Sequence, residues 1–286
     1  MTAAAALPET RPEPEPVLPR DELLRKLGAQ PSEGSGVDPG LAGGLRAWLE
    51  DAASAVVRAR GESAPPLFLG TRLLLGAPGG GGGAARRPAG PDLILACLVR
   101  TIFRQIVTTR TIGDPLNDAL AALAVDPWRH ELVDRVVRLP ERERAALRRS
   151  LAAHADHLLD LTPRLPARWL PRTHDRVAIP LAGGRVVLHG VVELLIGPDE
   201  AGGAPLAALA VTTGGPWAPA REALRYLSLL ETLRGGTPPR RLALLHSALG
   251  RSRVEEVTEE HLGEVAALLA QRLPQLARAD AVGGRG

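Results

Sequence analysis

Lysine is almost missing from this chain: Lys26 is the only one in 286 residues, so nearly every cation is an arginine. Chemistry that needs a lysine ammonium to give up a proton has one residue to draw on, because a guanidinium stays protonated. Cysteine is also reduced to a single copy, Cys97, which excludes a disulfide framework and a cysteine-built zinc site. Aromatics are scarce, with Phe68, Phe103, Tyr226 and four tryptophans. The core must therefore be built from Leu, Val and Ala, and base-stacking surfaces for single-stranded nucleic acid are hard to assemble. No apolar run approaches the length that spans a bilayer, so no membrane association is expected. Residues 1–19 carry Pro and Glu but neither a basic n-region nor an apolar h-region. No signal peptide is expected there, and a reducing cytoplasm is the expected compartment. The net charge of +3 is small for the length, so any case for nucleic-acid binding has to be local. The Arg-, Ala- and Gly-rich usage resembles that of a GC-rich bacterial genome.

What is present divides the chain. Residues 1–40 read as a disordered tail and linker with a short helix at 21–27. Residues 41–165 read as a helical region, with helices at 41–60, 93–109, 115–124, 127–138 and 140–161. Pro127 and Pro140 suit the first turn of their helices. A Gly-rich loop spans 76–92. The glycine run 79–83 does not make a phosphate loop, because no Gly-Lys-Ser/Thr follows it. From Trp169 the period changes from 3.6 to 2. Strands are expected at 174–181, 185–196, 205–212 and 241–249, with 252–257 pairing to the last of them. Gly190 inside the second strand predicts a bulge or bend. A helix at 219–234 ends at Gly235-Gly236 before Pro238-Pro239, and Thr258 caps a final helix. The expected fold class is α/β (α+β): a mixed sheet flanked by helices, in a core spanning 166–276 behind the helical N-terminal half. Residues 277–286 are expected to be a disordered tail.

Three adjacent features in this core carry a resemblance. A hairpin ends in Gly190-Val-Val-Glu193, the next strand ends in Ala210-Val-Thr-Thr-Gly214, and a helix follows that contains Glu222 and Tyr226. Together they resemble the PD-(D/E)XK nuclease superfamily, in its RecB-like exonuclease branch, over about 169–273 and less fully back to 93. The resemblance implies a restriction-endonuclease-like sheet. It also implies two strand-end carboxylates that hold Mg²⁺, and a lysine that assists the activated water. Carried over residue by residue, the first acid falls at Glu193, the second at Ala210 and the lysine at Thr212. A metal-binding helix histidine falls near Phe103 or Arg104, a further strand acid falls at His174, and Tyr226 keeps its place. Ala210 cannot ligate and Thr212 cannot supply a charge. Glu222 is the one nearby acid able to substitute, and Arg221 or Arg225 could replace the ammonium as a charge only.

Each of these residues has a plainer reading. Glu193 is either a relic facing the site or a solvent-facing residue on an edge strand. His189 and His246 read as satisfied strand histidines. His154, His157 and Asp160 have ligand-like spacing, but a solvated helix face explains them better. Cys97 lies in an apolar helix, which favours an inert thiol. Arg234, Arg240, Arg241, Arg251 and Arg253 flank the last main strand, and between Glu231 and Glu255 there is no acid. They are either a phosphate-contacting patch or solvated charge around a turn. The leading expectation is a catalytically degenerate nuclease-like module that binds nucleic acid (DNA or RNA) or a protein partner. No cofactor is expected, with Mg²⁺ the ion if activity survives. The alternatives are a living metal-dependent nuclease built on Glu193 and Glu222, and a structural protein–protein scaffold.

Overall fold

The structure, a computed structural model, describes residues 20–28, 38, 40–61, 63–71, 90–166, 169–197, 206–215 and 217–283. The expected disorder of 1–19 and most of the Gly-rich loop lie outside the described residues, as does the turn at 198–204. Among the described residues, eight α-helices and six strands follow one another. These are α1 (Arg20–Gly28), α2 (Leu41–Arg60), β1 (Leu67–Leu69), α3 (Pro91–Thr109), α4 (Pro115–Ala124), α5 (His130–Val137) and α6 (Glu141–Leu161). Then come β2 (Arg172–Leu181), β3 (Val186–Ile196), β4 (Ala207–Thr212), α7 (Trp217–Gly235), β5 (Arg241–His246), β6 (Arg251–Glu256) and α8 (Glu259–Gly283).

Local chemistry explains most of the boundaries. Pro91 and Pro115 sit in the first turns of their helices, where a missing N–H costs nothing, and Asp114 caps α4 by accepting from the Leu116 and Asn117 amides. The helix expected at 127–138 starts with a separate 3-10 turn at Pro127–Arg129, and only then becomes α5. Helix α8 runs on to Gly283, through residues 277–283 that were expected to be disordered. The Ala-Arg-Ala-Asp-Ala sequence there is made mostly of helix formers.

The strands form one mixed, open sheet in the order β1-β3-β4-β5-β6, with β2 on the other edge of β3. β2, β3 and β4 are an antiparallel meander, α7 crosses over, and β5 returns parallel to β4. β1 was not anticipated, because three residues carry too little period to register. It pairs in parallel with the start of β3, Leu67 opposite Val186. Two cores sandwich the sheet. One holds α2, α7 and α8 against Val186, Leu188, Val192, Leu242 and Leu244. The other holds α1 and α3–α6 against Leu194, Leu209, Val211, Ala243 and Leu245. Segments 41–165 and 166–276 thus share both cores. Gly190 makes no bulge, since the β2–β3 register is continuous across it. A Cβ there would run into Leu227 Cδ2, so this glycine instead lets α7 approach the sheet closely.

Candidate functional site around Glu193

The alternation of β3 breaks at Glu193. Val186, Leu188 and Val192 face the α7 core, yet Leu194 and Ile196, of the same parity, face the α3 core. Opposite the break on β2, His174 is left-handed (φ 56°) and drops out of the pairing between Thr173–Leu194 and Asp175–Val192. The other edge of β3 forks at the same level. β4 pairs with it only from Leu194 onward, and β1 only up to Leu188. The Glu193 carboxylate fills the fork: Oε2 accepts the Val211 N–H of β4, replacing a ladder bond that the fork has removed.

Helix α3 closes over this point. Arg100 Nε lies 2.5 Å from Glu193 Oε1, with the glutamate side chain 13% exposed and the arginine 50%. Arg104, one turn on, donates to Thr101 Oγ1 at 3.1 Å and is close enough to act on Glu193. Burial raises the Glu193 carboxyl above its ordinary value, and Arg100, the Val211 amide and Arg104 oppose that without cancelling it. Burial also lowers the Arg104 guanidinium, with Arg129 adding to the effect. His174 is pushed down by burial and then by Arg104, Arg176 and Arg129, which favours the neutral imidazole. The Glu193 carboxylate is therefore flanked by Arg100 and Arg104, with His174 and the Arg129–Asp126 pair (3.9 Å) beside them. Such a setting suits an anion far better than a divalent cation. Of the positions singled out by the resemblance, Arg104 acts on Glu193, and His174 lies across from it on β2, within reach of Arg104. Phe103 does neither, being fully buried in the core. Arg100 and Arg129 were missed. The legible signal was the pair Arg100 and Arg104, four apart on an otherwise apolar helix.

The remaining positions go elsewhere. Ala210 packs towards the α7 core, on the opposite face of the sheet from Glu193, and Thr212 has the same parity. Leu209 and Val211 are the β4 residues on the Glu193 face. Neither register of β4 therefore brings a second acid or a lysine to the fork. Glu222 belongs to α7, on the far face, where it pairs with Arg225 at 3.7 Å. No single ion can bridge Glu193 and Glu222. Tyr226 is 2% exposed, and its hydroxyl lies 3.0 Å from the Leu69 carbonyl and 3.2 Å from that of His189. It bridges β1 to β3 at the end of their pairing, and burial raises its pKa far above the ordinary phenol value. The expected catalytic role is thus replaced by a structural one. Tyr226→Phe should cost about 1 kcal/mol in a urea titration, the net worth of a buried hydrogen bond.

The arginine patch does not assemble. Arg234 is held by Asp175 at 2.7 Å and Glu231 at 2.5 Å, and Arg241 by Glu256 at 3.0 Å. Pairing sets Arg241 opposite Glu256 and Arg251 opposite His246, at opposite ends of the β5–β6 ladder. Arg253 lines a small hollow beside Arg221 and Glu255, and Arg240 is half-buried just before β5. Asp175, distant in sequence, and Glu256, across the β5–β6 pair, supply counter-charges to Arg234 and Arg241.

The histidines are structural. His154 Nδ1 lies 2.9 Å from Ser247 Oγ, which donates to the Thr212 carbonyl at 3.0 Å, and His157 Nδ1 lies 2.7 Å from the Ser247 carbonyl. The serine proton is committed to a carbonyl and the residue is fully buried, so this pair is a brace between α6 and the end of β5 rather than an activated nucleophile. Among the described residues no three His, Cys, Asp or Glu side chains group to hold a metal, and no helix is long and apolar enough to cross a membrane. No protein-family model and no curated protein matches the chain.

Proposed function

We propose that this chain is a nucleic-acid-binding module on a degenerate PD-(D/E)XK nuclease-like frame, with guanidinium groups standing where catalytic ions would be held. The observation that carries the reading is the Arg100–Glu193 contact at 2.5 Å, which ties up the one acid at the fork with a cation that cannot act as a proton carrier. The meander β2–β3–β4, the crossing helix α7 and the parallel β5 support the frame, since they are the succession the resemblance implies. Arg104 and Arg129 beside the pair supply the positive field that phosphates seek. The test is direct. The purified chain, with Mg²⁺ or Mn²⁺, should leave labelled DNA and RNA intact while binding one of them with an affinity that falls steeply with salt. Cleavage that disappears in Glu193→Ala would overturn the proposal, and so would failure to bind either polymer.

A further inference from the structure

We propose that the open end of the sheet face carrying Glu193, from Phe68 to the fork, is a docking strip for single-stranded DNA. Bases stack on Phe68 and phosphates are held by Arg176 and Arg100. The proposal rests on the nucleic-acid reading above and gives it a face and a strand type.

The strip follows from alternation and pairing. Leu67 and Leu69 point into the α7 core, so Phe68 between them points to the other face, where it is 60% exposed. Phe68 lies beside Val187, and Val187 beside Pro180. His189 faces Ala178, and Val191, 37% exposed, faces Arg176. Pro180, Ala178, Arg176 and His189 are exposed as well. The row ends at Glu193, where α3 first covers the face with Arg100. From Val187 to Glu193 the strip is roughly 20 Å long at the rise of an antiparallel strand. Gly70 keeps its floor flat, because a Cβ there would come within 2.9 Å of the His189 ring.

The charge on the strip is one-sided. Among the described residues its own carboxylate is Glu193, already bound by the half-exposed Arg100, and Asp126 beside that end pairs with Arg129 at 3.9 Å. Asp175, the nearest other acid on β2, is on the opposite face with Arg234. An exposed ring on an apolar floor, with guanidinium groups at the far end, is the chemistry that takes unpaired bases and their phosphates. A duplex hides its base faces from such a platform. Apart from His189, the floor residues Phe68, Val187, Val191, Ala178 and Pro180 offer no partner to a 2′-hydroxyl, so most ribose positions would cover an unpaired polar group, and deoxyribose is favoured.

The test is fluorescence anisotropy on the full chain with labelled oligothymidylate, the matching oligouridylate and a DNA duplex. Oligothymidylate should bind tightest. Phe68→Ala should weaken it about tenfold and Phe68→Trp should restore it, as one base–aromatic stack predicts. Arg176→Ala should flatten the plot of log affinity against log salt by about 0.7, the share of one phosphate contact on a single strand. Both residues are exposed, and an unchanged thermal midpoint checks that the variants fold. Binding that survives Phe68→Ala and Arg176→Ala would place the site elsewhere and overturn the strip while leaving the nucleic-acid reading intact. Tighter binding of duplex or RNA would also overturn it. So would a dimer that Phe68→Ala converts to a monomer, which would make a second copy the occupant. Binding to none of the three polymers would remove the broader reading as well.

Discussion

Replacing Arg225 with alanine should lower the stability of the fold by about 3 kcal/mol, read as a drop in urea midpoint at unchanged slope. Arg225 is only 7% exposed and is the hub of the α7–β6–α8 contact. Its Nε lies 3.0 Å from Glu255 Oε1, its Nη2 2.9 Å from His261 Nε2, and its Nη1 3.6 Å from Glu264. Arg221 holds the other oxygen of Glu255 at 2.6 Å. The cost of the substitution comes mainly from the partner left behind, a mostly buried carboxylate with one cation fewer. The pH dependence identifies the mechanism. Burial pushes Glu255 up, but the Arg225 and Arg221 hydrogen bonds outweigh it and hold the carboxyl below its ordinary value. A depressed acid contributes stability above its unfolded pKa and loses it as the pH falls through the folded one. The gap between wild type and Arg225→Ala should therefore be full at neutral pH and shrink below about pH 4.3, the ordinary glutamate value. A gap that stays constant down to acid pH would mean that packing of the arginine stem, not its charge, sets the cost.

The second large effect lies on the other face of the sheet. Phe103→Ala should cost about 3–5 kcal/mol, the range for deleting a fully buried ring. Phe103 sits in the core that α3 shares with α4–α6 and the sheet, at 0% exposure. The void it leaves cannot collapse without moving α3, and α3 carries Arg100 and Arg104. The nucleic-acid binding proposed above should therefore weaken along with the stability. Phe103→Leu, which refills most of the volume, should recover much of both. If Phe103→Ala loses stability but binds normally, then α3 does not position the arginines through this ring.

Much of the architecture is legible in the residues. The period of 3.6 at 93–109 and 140–161 gave way to a period of 2 near Trp169, and helices and strands followed it. Gly235-Gly236 ahead of Pro238-Pro239 ended α7 where such a signal should, because neither pair continues a helix readily. β1 was not legible, since its pairing partner lies more than a hundred residues away. The site was legible in part. Glu193 stood out as an acid in an apolar strand, and Arg104 and His174 as residues where the resemblance wants ligands. Their convergence required α3, β2 and β3 to meet in space, which no local spacing records.

The sequence alone determined which residues stand where the resemblance expects an acid and a lysine. Those positions hold Ala210 and Thr212, and the one lysine is far away at 26. Only the tertiary structure decided which faces the remaining groups occupy. Alternation predicts faces only while a strand stays regular, and β3 changes sense at Glu193, opposite a left-handed His174. That break turned Glu193 towards Arg100 and left Ala210 and Glu222 on the other side of the sheet. Strand pairing likewise gave Arg234 and Arg241 their acids and dispersed the basic patch. The same alternation, unbroken in β1, left Phe68 exposed on the face that carries Glu193, in a chain with few aromatic rings to spare.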